Sequence, residues 1–274
     1  MITEIEGNEI IKQNIKNNKL FAVSRIATGF ETIVTNQILS GLKVTDEQLY
    51  YLSIQAGFYG GKIEDFFEEY SKGIACGDLQ VVWNGSMIDN IQHKIFEKLS
   101  PNSTKVGFKI VEPYYFDDPW SQELEGKNVL IINPFSQSIR YQYKKREKIW
   151  PDGKMLPKFN LINYTSVQSV GAEGPHSSWK ESLEIMKKEI SELNFDIALL
   201  GCGSYGLPLL NFIKNEMKKS GIYVGGATQI LFGIKGKRWD ENKNINKFYN
   251  EHWRRPFDIE IPEKFKMVEG GCYW

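Results

Sequence analysis

The chain has 274 residues, 41% hydrophobic and 25% charged, with 34 Lys+Arg set against 34 Asp+Glu. This is the make-up of an ordinary globular protein, and the balanced charge excludes a global field that would favour nucleic acid or an anionic membrane. No run approaches the roughly 18 apolar residues of a transmembrane segment.

Three widely spaced cysteines, Cys76, Cys202 and Cys272, argue against a disulfide framework or a zinc knuckle and for a reducing compartment. The first residues lack the basic-then-apolar layout of a signal peptide, so a cytoplasmic protein is expected.

Leu20–Arg25 reads as a short buried strand, followed by apolar residues at helical spacing from Thr28 to Leu39. Residues 45–75 read as helix with a glycine-rich interruption at 57–61. Leu79–Trp83 is a second strand and Thr104–Val111 a third candidate. Gly126–Phe135 carries a strand whose Val129–Ile132 run is apolar on both faces, as central parallel strands are. Phe159–Tyr164 follows. Ser178–Leu193 is a helix with Ser177 or Ser178 as its cap. Strand, glycine-rich turn, helix and strand then run from Asp196 to Gly226.

Strands alternating with helices predict a Rossmann-like α/β fold: an open, mainly parallel sheet with helices on both faces. No linker is visible. One α/β domain over 1–234 is expected, with an irregular C-terminal extension, 235–274, packed upon it.

The turn Gly201-Cys-Gly-Ser-Tyr-Gly206 is the strongest chemical signal. Its glycines let backbone amides approach a ligand, and the helix beyond it points its partly positive end at the same place. Gly201, Gly203, Ser204, Tyr205 and Gly206 are therefore candidates for holding a phosphate. The pattern also matches the dinucleotide and S-adenosylmethionine fingerprint, but such a site wants an acid ending the next strand. Gly225 and Gly226 stand there instead. A third reading is tight helix–strand packing alone.

Thr228 and Gln229 bring hydrogen-bonding groups to that strand end, and Lys235, Lys237 and Arg238 follow as a basic cluster able to clamp a diphosphate. Ser136, Ser138 and Arg140, after the central strand, are candidates for phosphate or ribose, with Tyr141 and Tyr143 as stacking partners. Alternatively, Gln142–Arg146 is an exposed helical turn. Asp117 and Asp118 form an acidic pair before a proline, and Asp89 is a weaker base or ligand. His93, His176 and His252 lack ligand spacing, with His176 the one placed to act as a base. Cys202, near a helix start, is either an activated thiol or a small buried residue.

Ser24-Arg-Ile-Ala-Thr-Gly-Phe-Glu31 and Ile197–Gly203, with Tyr223–Gly226, together resemble the GT-D-type glycosyltransferase domain of bacterial glycan and capsule pathways. There an early strand ends in a Ser-Arg-Phe-Gly-Asp-Gly-Glu-like motif. The resemblance spans roughly residues 18–40 and 125–232 and carries over Arg25, Gly29 and Glu31.

It implies a nucleotide-sugar donor, a glycan or glycolipid acceptor, and a divalent manganese or magnesium ion on acids such as Glu31, with Asp117 and Asp118 as further catalytic candidates. The family's aspartate falls on Thr28, so a metal site would draw acids from elsewhere. Two other functions remain open: a non-catalytic nucleotide- or sugar-binding protein on the same fold, and an S-adenosylmethionine- or NAD-dependent enzyme.

Overall fold

The computed structural model describes residues 1–274. Its seven strands are β1 (Ala22–Arg25), β2 (Leu79–Val82), β3 (Thr104–Gly107), β4 (Asn128–Ile132), β5 (Asn160–Tyr164), β6 (Ile197–Leu200) and β7 (Ser220–Tyr223). They form one sheet in the order β3-β2-β1-β7-β6-β4-β5, with every pair parallel. This is an open, Rossmann-like α/β fold.

The short apolar runs are explained by helices on both faces, which leave the central strands no solvent side. Alternate residues of each strand enter different cores. Val81, Val129, Ile131 and Leu199 join one cluster; Val82, Leu130, Ile132 and Leu200 join the other. The clusters are nearly equal, 33 and 32 buried residues, so neither face is the open one.

Handedness decides which helix covers which face. The chain steps from β1 to β2 and β3 in one direction, and from β5 back through β6 to β7 in that same direction. The helices on these crossovers (30–39, 63–75, 89–99, 179–191 and 206–211) all feed the second cluster. The step from β4 to β5 runs the other way, and its helix, Ser136–Tyr143, feeds the first. So do the opening helix, Glu4–Lys16, and the short helix Ala227–Leu231. After β1, β7, β6 and β4, four neighbours in the sheet, the chain therefore leaves alternately to opposite faces. A crevice opens at their carboxyl ends.

Local chemistry starts the helices where the sequence suggested. Thr3 and Thr45 form capping boxes with Glu6 and Gln48, and the Ser178 side chain accepts from the Glu181 amide. The structure also departs from expectation. The third strand stops at Gly107 and turns into a short 3-10 segment, because Phe108 swings round to stack on Trp83 at 5.3 Å. The last strand begins at Ser220 and ends at Tyr223, short of the glycine pair. The tail is less irregular than its prolines suggest, with short helices at Lys237–Asp240 and Lys243–Asn246. Its Trp239, Ile245 and Trp253 bury themselves in the first core cluster. No helix is long and apolar enough to cross a membrane.

Two helices of the second face are joined by a buried acid. Glu69, on helix Ile63–Ala75 and only 4% exposed, accepts from Lys187 at 2.8 Å and Lys180 at 3.1 Å, both on helix Trp179–Ser191. Burial alone would raise its carboxyl, but Lys187 and then Lys180 prevail and hold it at about 2. A depressed carboxyl stabilises the fold above its unfolded range and loses that contribution as pH falls. The variant Glu69→Gln should cost about 1.5–3 kcal/mol near neutral pH. In urea titrations at several pH values, the wild-type advantage should shrink below pH ~4.5 and be nearly gone near pH 2. An advantage constant over that range would contradict the assignment.

Candidate functional site

The carboxyl ends of β1, β7, β6 and β4 enclose a cavity of about 630 Å³, a volume typical of small-molecule sites and at the place where open parallel sheets bind ligands. Its walls come from the segments after each of these strands, from the loop after β5 and from the last residues of the chain.

Arg25 is the last residue of β1, so its guanidinium emerges at the edge of the sheet. It lies over the Trp83 ring at 4.8 Å and near the Tyr223 ring at 5.5 Å, and no carboxylate comes within ion-pair distance. Aromatic faces partly offset the desolvation of a cation while leaving its N–H groups free for an anion. Both rings are themselves fixed. The Trp83 indole donates to the Ile26 carbonyl at 2.9 Å, and the Tyr223 hydroxyl donates to the Gly203 carbonyl at 2.7 Å. Gly225 explains why no acid ends the last strand: a side chain there would meet the Arg25 guanidinium at 2.3 Å. Its φ of +68° is also one that residues with side chains rarely adopt.

The glycine-rich turn divides into two roles. Gly201 and Gly206 are packing residues, since a Cβ at Gly201 would meet Asn133 and Thr228 at 2.6 Å and one at Gly206 would meet the Tyr223 ring at 2.4 Å. Gly203 alone opens towards the cavity, left-handed at φ +57° with nothing near its absent side chain. Ser204 is turned away. Its hydroxyl donates to the Ala56 carbonyl and accepts from the Trp179 indole. Tyr205 lines the cavity, stacked on Trp179 at 5.4 Å.

Gly29 and Glu31 line the cavity beside Arg25. Glu31 lies in the first turn of the helix Phe30–Leu39 and folds back over Gly29 towards its own amide. Burial pushes its carboxyl above the ordinary range and Glu269 adds to this, against the bond to its own amide and the nearby Arg25. Gly226 and Gln229 also line the cavity. The Gln229 amide group donates to the Tyr273 carbonyl at 2.8 Å, while its buried oxygen has no partner. Thr228 sits behind, its hydroxyl on the Gly225 carbonyl.

Of the basic cluster only Arg238 reaches the cavity. Lys235 lies over Tyr249, and Lys237 donates to the Gly270 carbonyl at 3.4 Å. Arg238 stacks on Tyr273 at 4.7 Å and pairs with Glu269 at 2.5 Å.

The segment after β4 corrects the sequence reading most sharply. Ser136, Ser138 and Arg140 do not line the cavity, for they belong to a helix whose anion position is already taken by the chain itself. The Glu260 carboxylate accepts from the amides of Gln137 at 2.7 Å and Ser138 at 3.1 Å, and from the Ser138 hydroxyl. A helix start with free amides attracts any anion, and here the anion is a side chain of the C-terminal extension. Ser136 bonds Thr165, Arg140 is exposed, Tyr141 packs on Phe257 and Tyr143 bonds the backbone of Phe159.

Asp117 and Asp118 are also outside the cavity, with Asp118 paired to Lys12 and Gln122. Asp89 is spent on the Gly85 amide, and His176 on Ser182 at 2.7 Å. The Cys202 thiol is buried and pushed well up by that burial, so it is a packing residue.

Sequence reasoning missed Trp83, Asn133, Glu269, Tyr273 and Trp274. Asn133 joins β4 to the glycine turn by donating to the Gly201 carbonyl at 2.9 Å. Its signal was an Asn-Pro pair directly after a strand. Glu269 precedes two glycines in a stretch that otherwise reads as polar tail. It adopts a left-handed φ of 48°, which costs a residue with a side chain about 1–2 kcal/mol. The cavity's acids are thus Glu31 and Glu269, one folded over its own helix start and the other on Arg238; no group of three metal-ligating side chains exists. Magnesium is commonly held by one or two carboxylates together with waters and substrate phosphates, so these two acids form no all-protein cage and an ion here would share its ligands with a bound phosphate.

No protein-family model, curated protein or solved structure matches the chain.

Glu260 anchors the extension that walls the cavity, and Glu260→Gln tests this directly. Losing charge-assisted bonds should cost about 1.5–3 kcal/mol. Hydrogen exchange at the Gln137 and Ser138 amides should accelerate in step. Unchanged exchange there would show that another group holds the helix start.

Proposed function

We propose that the chain is a nucleotide-sugar-dependent glycosyltransferase acting in polysaccharide or glycoconjugate synthesis. The observation that carries this is Arg25: a guanidinium without a carboxylate partner, held between two aromatic rings at the mouth of a sheet-edge cavity of about 630 Å³. Such a cation suits a diphosphate, and the volume accommodates a nucleotide joined to a sugar. Arg238, across the same cavity, would supply the second positive charge. Tyr273 lies against Arg238 and lines the same cavity. The amides around Gly203 lie open beside it, and the aromatic groups of Phe135, Tyr273 and Trp274 offer faces for a base or a sugar ring.

In this reading the donor's anomeric carbon–oxygen bond breaks and its electron pair departs with the diphosphate. The developing charge is met by Arg25 and Arg238 in a site partly shielded from water. A glycan or glycolipid hydroxyl would approach from the open side.

A second reading is a non-catalytic nucleotide- or sugar-binding protein, favoured by the small number of acids in the cavity. An S-adenosylmethionine or NAD enzyme gains nothing, because no acid ends β7 to hold a ribose.

Thermal unfolding with UDP-, GDP-, CMP- and dTDP-sugars, S-adenosylmethionine and NAD, each with and without manganese, tests these readings together. A ligand at 100 times its dissociation constant stabilises by about 2.7 kcal/mol. For a chain of this size that is a shift of roughly 5–10 °C. One nucleotide-sugar should raise the midpoint, and Arg25→Gln should abolish the shift. A response to S-adenosylmethionine or NAD alone would refute the transferase reading. Binding of a nucleotide-sugar without any release of its nucleotide would favour the binder.

A further inference from the structure

We propose that Glu269 is the base that takes the proton of the acceptor hydroxyl, and that the donor's diphosphate sets it free by drawing Arg238 away. The inference rests on the glycosyl-transfer reading above and assigns a catalytic group within it.

Two carboxylates line the cavity, and their surroundings differ. The Glu31 carboxylate folds back over Gly29 and is engaged by its own helix-start amide. An acceptor hydroxyl would have to compete with that bond. Glu269 stands on the chain's last segment, more than half exposed and reachable from the open side of the cavity. It pairs with Arg238 at 2.5 Å and lies beside the Cys272 thiol. The backbone beneath it is unusual: Glu269, Gly270 and Gly271 are all left-handed, with φ of 48°, 66° and 83°. Strained residues at a cavity wall persist where the surrounding structure needs a side chain aimed in one direction. Cys272 and Trp274 hold this stretch through their carbonyls, which accept from the amides of Arg238 and Lys237.

The pair is partly exposed, so its attraction is weakened by water and its loss costs little. A diphosphate matches the planar fork of Arg238 better than a single carboxylate and carries more charge. Donor binding thus recruits Arg238 and leaves the Glu269 carboxylate without its ion-pair partner beside the sugar. The acceptor oxygen then bonds to the anomeric carbon while its proton passes to the Glu269 carboxylate. The bond from that carbon to the diphosphate breaks, and the leaving electron pair stays on the diphosphate between Arg25 and Arg238. The arrangement keeps the base paired until a donor has arrived, which restrains idle proton traffic.

Such a base has a signature that a structural residue lacks. In the full chain, Glu269→Gln should bind UDP or GDP more tightly, by about 3–5-fold, because no carboxylate competes for Arg238. The same variant should release nucleoside diphosphate from the donor found by thermal unfolding about 10²–10⁴-fold more slowly than wild type. Glu269→Ala should recover part of that rate in added formate, a diffusible carboxylate.

Turnover within threefold of wild type would overturn the assignment. So would a variant that loses nucleotide binding and turnover together, which would make Glu269 a positioning residue. Absence of turnover in the wild-type protein with every donor would instead remove the transferase reading, and this inference with it.

Discussion

A guanidinium pressed against the edge of a parallel sheet is the feature around which the rest of this molecule is arranged. Arg25 leaves β1 at a point where neighbouring chain segments depart to opposite faces, so no carboxylate from the adjoining helices pairs with it. Its charge must be accommodated without a carboxylate, and two aromatic faces do this. Each ring is in turn tied by a hydrogen bond to a different strand end, Trp83 to Ile26 and Tyr223 to Gly203. The cation therefore couples four neighbouring strands, β2, β1, β7 and β6. Its passage across Gly225 requires a residue without a side chain there. What resembles a missing acid is the space that this arginine occupies.

Electrostatics divides the carboxyl edge into a satisfied half and an open half. At the start of the helix after β4 the protein answers the positive end of its own dipole with Glu260, and three donors from that helix start converge on the carboxylate. The same bonds fasten the C-terminal segment, whose last residues become a wall of the cavity. Around Arg25 no internal anion is supplied. One anion site is thus filled by a side chain distant in sequence, while the cation at the neighbouring strand ends rests on aromatic rings and has no ion-pair partner.

Much of the architecture is legible in the order of residues. The Val129–Ile132 and Ile197–Leu200 runs are apolar on both sides because both faces are covered, and Ser178 marks a helix start through the bond that it makes. Arg25, Gly29, Glu31 and the 201–206 turn stand at strand ends, where an open sheet places its ligands. The remainder of the site is less visible. Ser136 and Ser138 look like anion ligands because they open a helix after a strand, and they do serve an anion site; the anion is Glu260, about 120 residues away in sequence. Asp117 and Asp118 look like metal ligands, and Asp118 is held by Lys12 from the opening helix. Glu269 looks like an ordinary tail residue until the backbone at its position is known.

The sequence by itself determined the periodicities, most of the strands and the crossovers, and with them a mainly parallel sheet and the edge at which such sheets bind ligands. These follow from local burial and from the handedness of L-residue chains, which act over a few to some tens of positions. Only the tertiary structure decided which charges are spent and which are free. Whether a serine, an aspartate or a lysine faces a cavity depends on partners brought together by the packing of remote segments. Neither period nor spacing records that pairing.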